Sequence, residues 1–128
     1  MKGHSMRQTG IFAAALIGMF AMTAPAFAEF GAVAYDQATG RYGFSWNKSS
    51  RQEANEAAKK DCASESCKLF PVNPRQCGAL ATAENQKDSS AWGISIRPDK
   101  SDAEARAIAT CQKHTASQCK VRGSECNR

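Results

Sequence analysis

"SSRQEANEAAKKDC" (residues 49–62) and "DKSDAEARAIATC" (residues 99–111) are close to one sentence written twice. Aligned without gaps on Cys62 and Cys111, Ala54 meets Ala103, Ala58 meets Ala107, Ser50 meets Asp99 and Glu53 meets Asp102. Each copy opens with a residue of N-cap type followed three positions later by an acid. That pattern resembles a capping box and suits the positive end of a helix. In the second copy Ser101 and Glu104 form a competing cap two residues on, so that boundary has two candidates. Positions i, i+4 and i+8 of each copy are Ala, Ala and Cys, a stripe of small side chains along one helical face. Each stretch therefore predicts a short helix able to lie close against something flat.

The segments flanking the helices are also matched. "FGAVAYDQATGRYGFSW" (30–46) holds two β-type runs around a turn-rich Asp36–Gly40, and "CGALATAENQKDSSAWGISI" (77–96) has the same outline. After each helix comes a second cysteine and another β-type run, "CKLFPV" and "CKVRGSEC". The unit is β-β-α-β, present in two copies over about residues 30–72 and 77–126. Two copies at a period of about 49 residues argue for a pseudo-twofold single domain, because a solenoid needs at least three repeats. The expected fold is α+β: a mainly antiparallel sheet of about six strands with two helices packed on it. Period-2 alternation puts Tyr42, Phe44 and Trp46 on one face, matched by Trp92, Ile94 and Ile96. Large side chains would complement the alanine stripes, so this face is expected to meet the helices. Gly43, Ser45, Gly93 and Ser95 would then look away.

The first residues speak to compartment. Lys2 and Arg7 precede the apolar run "IFAAALIGMFAM", and "TAPAFA" ends in Ala-Phe-Ala. This is the outline of a secretory signal peptide over 1–28, cleaved after Ala28, and it is short for a membrane span, which needs roughly 20 apolar residues. The domain is then 29–128, periplasmic or secreted, with no later stretch able to span a bilayer. Loss of Lys2 and Arg7 leaves 15 basic against 12 acidic residues, so the net charge falls from +5 to about +3. The charges are interleaved, which argues for solubility and against a dedicated nucleic-acid binder. A domain of this size is marginal on core burial alone. Six cysteines, all after the leader, predict three disulfides in an oxidising compartment. Six cysteines permit 15 connectivities. The repeat favours local pairs in each copy, Cys62–Cys67 and Cys111–Cys119, leaving Cys77–Cys126. In the loop-entropy account the 62–67 bridge contributes about 2 kcal/mol and the 77–126 bridge about 4 kcal/mol. Spacings of Cys-x4-Cys and Cys-x7-Cys are poor zinc knuckles, and neither a metal nor another cofactor is expected.

Taken together, "GAVAYDQATGRYGFSW", "EANEAAKKDC", "CGALA", "WGISI" and "AEARAIATC" resemble the bacterial domain-of-unknown-function family 4189, over Gly31 to Cys126. The resemblance implies a small, exported, cysteine-rich domain. It implies no particular chemistry.

The inventory for catalysis is thin. His114, in "CQKHTASQC", is the only histidine after the leader, and no Gly-x-Ser-x-Gly elbow is present. Glu53 with Glu56, or Asp102 with Glu104, could be drawn as an acid/base pair, but helix-N-terminal acids that stabilise a dipole explain them more simply. Tyr42, Phe44, Trp46 and Trp92 could stack on a sugar or peptide ligand with Arg41 and Lys48 beside them, Arg41, Lys48 and Trp46 being the candidate contacts, but the alternation of these aromatics fits a core face. The loops "NKSSRQ", "PVNPRQ" and "ENQKDSS" are the polar surface where a partner would dock. The expected function is an exported, non-enzymatic binding module for a macromolecular partner: an envelope polymer, a host protein or an enzyme it inhibits. The alternative is a small envelope hydrolase using His114 or a carboxylate pair.

Overall fold

The computed structural model describes residues 3, 28–85 and 89–128. The leader expected over 1–28 lies outside the described residues, Gly3 and Ala28 apart. The chain runs β1 (Phe30–Tyr35), β2 (Tyr42–Lys48), α1 (Arg51–Cys62), β3 (Lys68–Val72), β4 (Cys77–Ala83), β5 (Trp92–Arg97), α2 (Lys100–Gln112) and β6 (Cys119–Cys126). Among the described residues no helix is long and apolar enough to cross a membrane.

Both helices start where their capping residues dictate. Ser50 Oγ accepts the Glu53 amide at 3.1 Å, and Asp99 Oδ1 accepts the Asp102 amide at 3.0 Å. Asp99 therefore wins over Ser101, whose hydroxyl instead donates to Asp99 at 2.7 Å. Their exits differ. Ala63 closes α1 in the left-handed region (φ 54°), whereas Lys113 ends α2 in right-handed geometry.

Among the described residues there are six antiparallel strands and two helices, as the sequence indicates, and the strands divide into two sheets of three. The strand orders are β2-β1-β3 and β5-β4-β6, so each half has its first strand in the middle and its helix between the second and third strands in sequence. α1 covers the first sheet and α2 the second, and the sheets meet face to face, giving helix, sheet, sheet, helix.

The expected facing of the sheets is reversed. Tyr42, Phe44, Trp46, Trp92, Ile94 and Ile96 pack into the central layer between the sheets, around buried Val33, Tyr35, Val72 and Leu80. The helices lie on the small-residue faces instead. A Cβ added at Gly43 would stand 2.3 Å from the Cys62 amide nitrogen and 2.5 Å from the Ala58 carbonyl oxygen. One added at Gly93 would stand 2.2 Å from the Ala107 oxygen. Ser45 donates its hydroxyl to the Ala54 carbonyl at 2.6 Å. Alanine stripes thus meet glycine, alanine and serine, and helix backbone rests almost on strand backbone. Alternation tells which side chains share a face but not which way that face points. Two sheets stacked about 10 Å apart need long side chains between them, and this requirement takes the aromatics.

Three disulfides, Cys62–Cys67, Cys111–Cys119 and Cys77–Cys126, use all six cysteines. The last joins residues directly opposite each other on β4 and β6. Just beyond it, buried Asn127 stitches the chain end to the first half. Its Nδ2 donates to the Val72 and Asn73 carbonyls at 2.9 and 3.1 Å, and its Oδ1 accepts the Asn47 amide at 3.0 Å. The Arg128 amide donates in turn to Asn47 Oδ1 at 3.0 Å.

Candidate functional site

Two concave regions carry candidate side chains. The first is an open groove of about 600 Å³ along edge strand β2 where it runs beside α1, lined by Phe44, Ser45, Trp46, Lys48, Ala57, Lys60 and Asp61. A bulge shapes it. The β1–β2 register shifts between Phe30 and Ala32, and Asn47 there has φ 54°. One extra residue moves the alternation by one step. Lys48 thereby lines the same groove as α1's Lys60 rather than continuing the Phe44–Trp46 row. The Phe44 and Trp46 rings lie nearly parallel, 16° apart with centroids at 6.0 Å. The Asp61 carboxylate accepts the Phe44 amide at 2.9 Å, so one outward donor of this edge strand is satisfied within the chain.

Of the three expected ligand contacts, Trp46 and Lys48 come together here and Arg41 does not. Arg41 precedes the opposite end of β2, where its guanidinium donates to the Ala63 carbonyl at 2.8 Å and secures the exit of α1. The left-handed exit leaves that carbonyl without a helical partner, and a cation suits a helix C-terminus.

The second region opens at the β3–β5 side of the sandwich, beside the β1–β2 turn. A hollow of about 230 Å³ is bounded by Tyr35, Phe70 and Trp92, with Asp36, Gln37, Ala38, Ser66 and Lys68 completing its wall. Ring centroids of Tyr35 and Trp92 are 5.2 Å apart, and those of Phe70 and Trp92 5.6 Å. Tyr35 donates its hydroxyl to the Ser89 carbonyl at 2.6 Å. Next to it a shallower hollow of about 390 Å³ is lined by Gln37, Ser90, Trp92, Thr110 and His114.

Asp36 is 1 % exposed, yet its carboxylate is fully engaged. It accepts the Ser64 hydroxyl at 2.6 Å, the Thr39 hydroxyl at 2.8 Å and the Ala38 amide at 2.9 Å. The Ser64 hydroxyl first, then that of Thr39, hold its pKa below the ordinary carboxylate range, against the opposing pull of burial. Its role is to tie the β1–β2 turn to the loop after α1. Asp99 is lowered likewise, by the Ser101 hydroxyl and the Asp102 amide.

The residues drawn as catalytic candidates are dispersed. His114 lies in the shallower hollow, and among the described residues no carboxylate lines that hollow with it. Glu53 meets the Ser49 hydroxyl and Glu56 accepts the Gln52 amide at 3.2 Å. Asp102 pairs with Arg106 at 3.1 Å, and Glu104 accepts the Ser124 hydroxyl. Among the described residues no group of three or more His, Cys, Asp or Glu side chains stands close enough to hold a metal ion.

Sequence reasoning missed Lys60, Asn127, and the grouping of Gln37 and Trp92. Lys60 was hidden in a helix whose most regular feature is its buried stripe. The other three are brought to their places by contacts between segments far apart in the chain, for which no local signal exists. Comparisons with known proteins are sparse: no curated protein and no solved structure matches the chain. A family model does match, over residues 30–126, and on that match the chain belongs to the domain-of-unknown-function family DUF4189.

Proposed function

We propose that the protein is an exported, non-enzymatic binding module, and that its two halves are copies of one β-β-α-β unit following a cleaved leader. Its partner is a macromolecule, either a protein or an envelope polymer, received along the β2–α1 groove. The observation that carries this reading is that Trp46, Lys48 and Lys60 line one open groove. An open trough with aromatic edges and two ammonium groups suits an extended chain or a protein surface better than a small substrate, which favours closed pockets. The Cys62–Cys67 bridge at the exit of α1 constrains the helix that forms one side of the groove, which reduces the ordering cost of association. The hydrolase reading has weaker support, because His114 has no carboxylate beside it among the described residues of its hollow and each candidate acid bonds elsewhere.

The test is parallel recovery of partners from the native envelope or culture fluid, using the parent chain and a Lys48→Glu/Lys60→Glu variant, with identification by mass spectrometry. Lys60 is exposed and Lys48 half-buried at the groove's edge, and the variant should retain its circular dichroism. A partner enriched by the parent and lost with the variant is expected. Equal recovery by both would remove the groove from consideration.

A further inference from the structure

The second concave region has a chemistry of its own, independent of the β2–α1 groove and of any partner received there. Gln37 and Trp92 line both hollows, so the two adjoin at these side chains. Their volumes, about 230 and 390 Å³, lie just below and within the roughly 300–1,000 Å³ of small-molecule sites. The walls divide by chemistry. Phe70 and Trp92 are half-buried rings that offer flat apolar surface. Around them the side chains of Gln37, Lys68, Thr110 and His114 form no hydrogen bond among the described residues. Asp36, in the same wall, is already filled by three donors.

Those unspent groups define the ligand. A primary amide and a hydroxyl each both donate and accept, and an imidazole ring carries two nitrogens for hydrogen bonding. They match a molecule bearing many hydroxyls, which also do both. A strongly anionic ligand would need several cations, and among the described residues Lys68 is the single basic side chain lining the deeper hollow. A wholly apolar ligand would strand the amide, hydroxyl and imidazole without partners, at a cost for each. A pyranose ring combines what remains: an apolar C–H face for an indole and a rim of hydroxyls. We propose that the Trp92 cleft binds a short saccharide, with one sugar ring stacked on the indole and its hydroxyls held by Gln37, Thr110 and His114.

The test uses the folded, disulfide-bonded chain and two soluble probes, the trisaccharides of N-acetylglucosamine and of glucose, followed by calorimetry and tryptophan fluorescence. Saturable binding of at least one probe is expected. Trp92 also packs on Tyr35 and Phe70, so its removal could perturb the fold; the informative variants are Gln37→Ala and His114→Ala, both at exposed positions. Each should weaken binding by about three- to tenfold, the loss of one hydrogen bond, with unchanged circular dichroism. The Lys48→Glu/Lys60→Glu variant should bind the saccharide as the parent does, whatever becomes of its macromolecular partner. Failure of both probes to bind, indifference to both alanine substitutions, or loss in the Lys48/Lys60 variant would each overturn the assignment.

Discussion

The outer and central layers of this protein are packed on opposite principles. Where a helix meets its sheet, side chains are nearly absent. Ala54, Ala58, Ala103 and Ala107 are fully buried, and strand glycines lie against helix backbone. Where sheet meets sheet, the space is filled by Leu80, Val33, Tyr35 and a set of half-buried aromatic and branched residues. Glycines occur in both places and are not equivalent. At Gly93 the nearest obstacle to a Cβ is the Ala107 carbonyl oxygen, which cannot move without the helix. At Gly123 it is the rim of the Phe44 ring, 2.6 Å away, at the end of a side chain that can swing. Size complementarity is satisfied by backbone approach in one layer and by rotamer choice in the other.

That contrast can be broken by substitution. The largest effect is expected from Gly43→Ala or Gly93→Ala, each lifting a helix off its sheet and costing about 3 kcal/mol or more, measured by urea denaturation with the disulfides intact. If either is tolerated as well as a surface change, the close approach is not a constraint. Next, Asn127→Ala should cost about 2 kcal/mol, because it leaves the Val72 and Asn73 carbonyls and the Asn47 amide without their buried partner. Gly123→Ala should be milder, about 1 kcal/mol, since Phe44 can rotate; a cost equal to that of Gly93→Ala would erase the distinction between the layers. Asp99→Ala, at the start of α2, should also cost about 1 kcal/mol and should show as earlier amide exchange in that helix than in α1.

The smallest effect is in pH. Asp36 and Asp99 both have pKa values held below the unfolded carboxylate value. Their stabilising contribution is therefore complete above about pH 4 and is lost as pH falls through the lower folded values. Melting temperature should be flat from neutrality to about pH 5 and decline below about pH 4, with a shallower decline in Asp36→Asn. An equally steep decline in that variant would assign the acid sensitivity elsewhere.

Much of the architecture was legible because it is written in local chemistry. Ser50 and Asp99 announce their helices through a side chain that reaches only three residues ahead. The matched stretches at Cys62 and Cys111 reveal that each half has the same order of elements, and the turn at Asp36–Gly40 separates its strands by residue type alone. The candidate site was legible only in part. Trp46 and Lys48 are two residues apart and share a groove, but through a bulge opposite Gly31 that no run of β-type residues discloses. Arg41 looked like their neighbour and is instead a brace for α1. Trp92 opens β5 and His114 lies in the turn after α2, and Gln37, from the other half, meets them only once the sheets are stacked.

By itself the sequence determined the elements, their order, the capping of both helices and the reliance on cysteine, because each depends on neighbours within a few residues or on composition. Tertiary structure alone decided which face of each sheet is inward. That choice is made between layers: two stacked sheets demand bulk between them, helices resting on glycine demand its absence, and no single strand carries the information to choose.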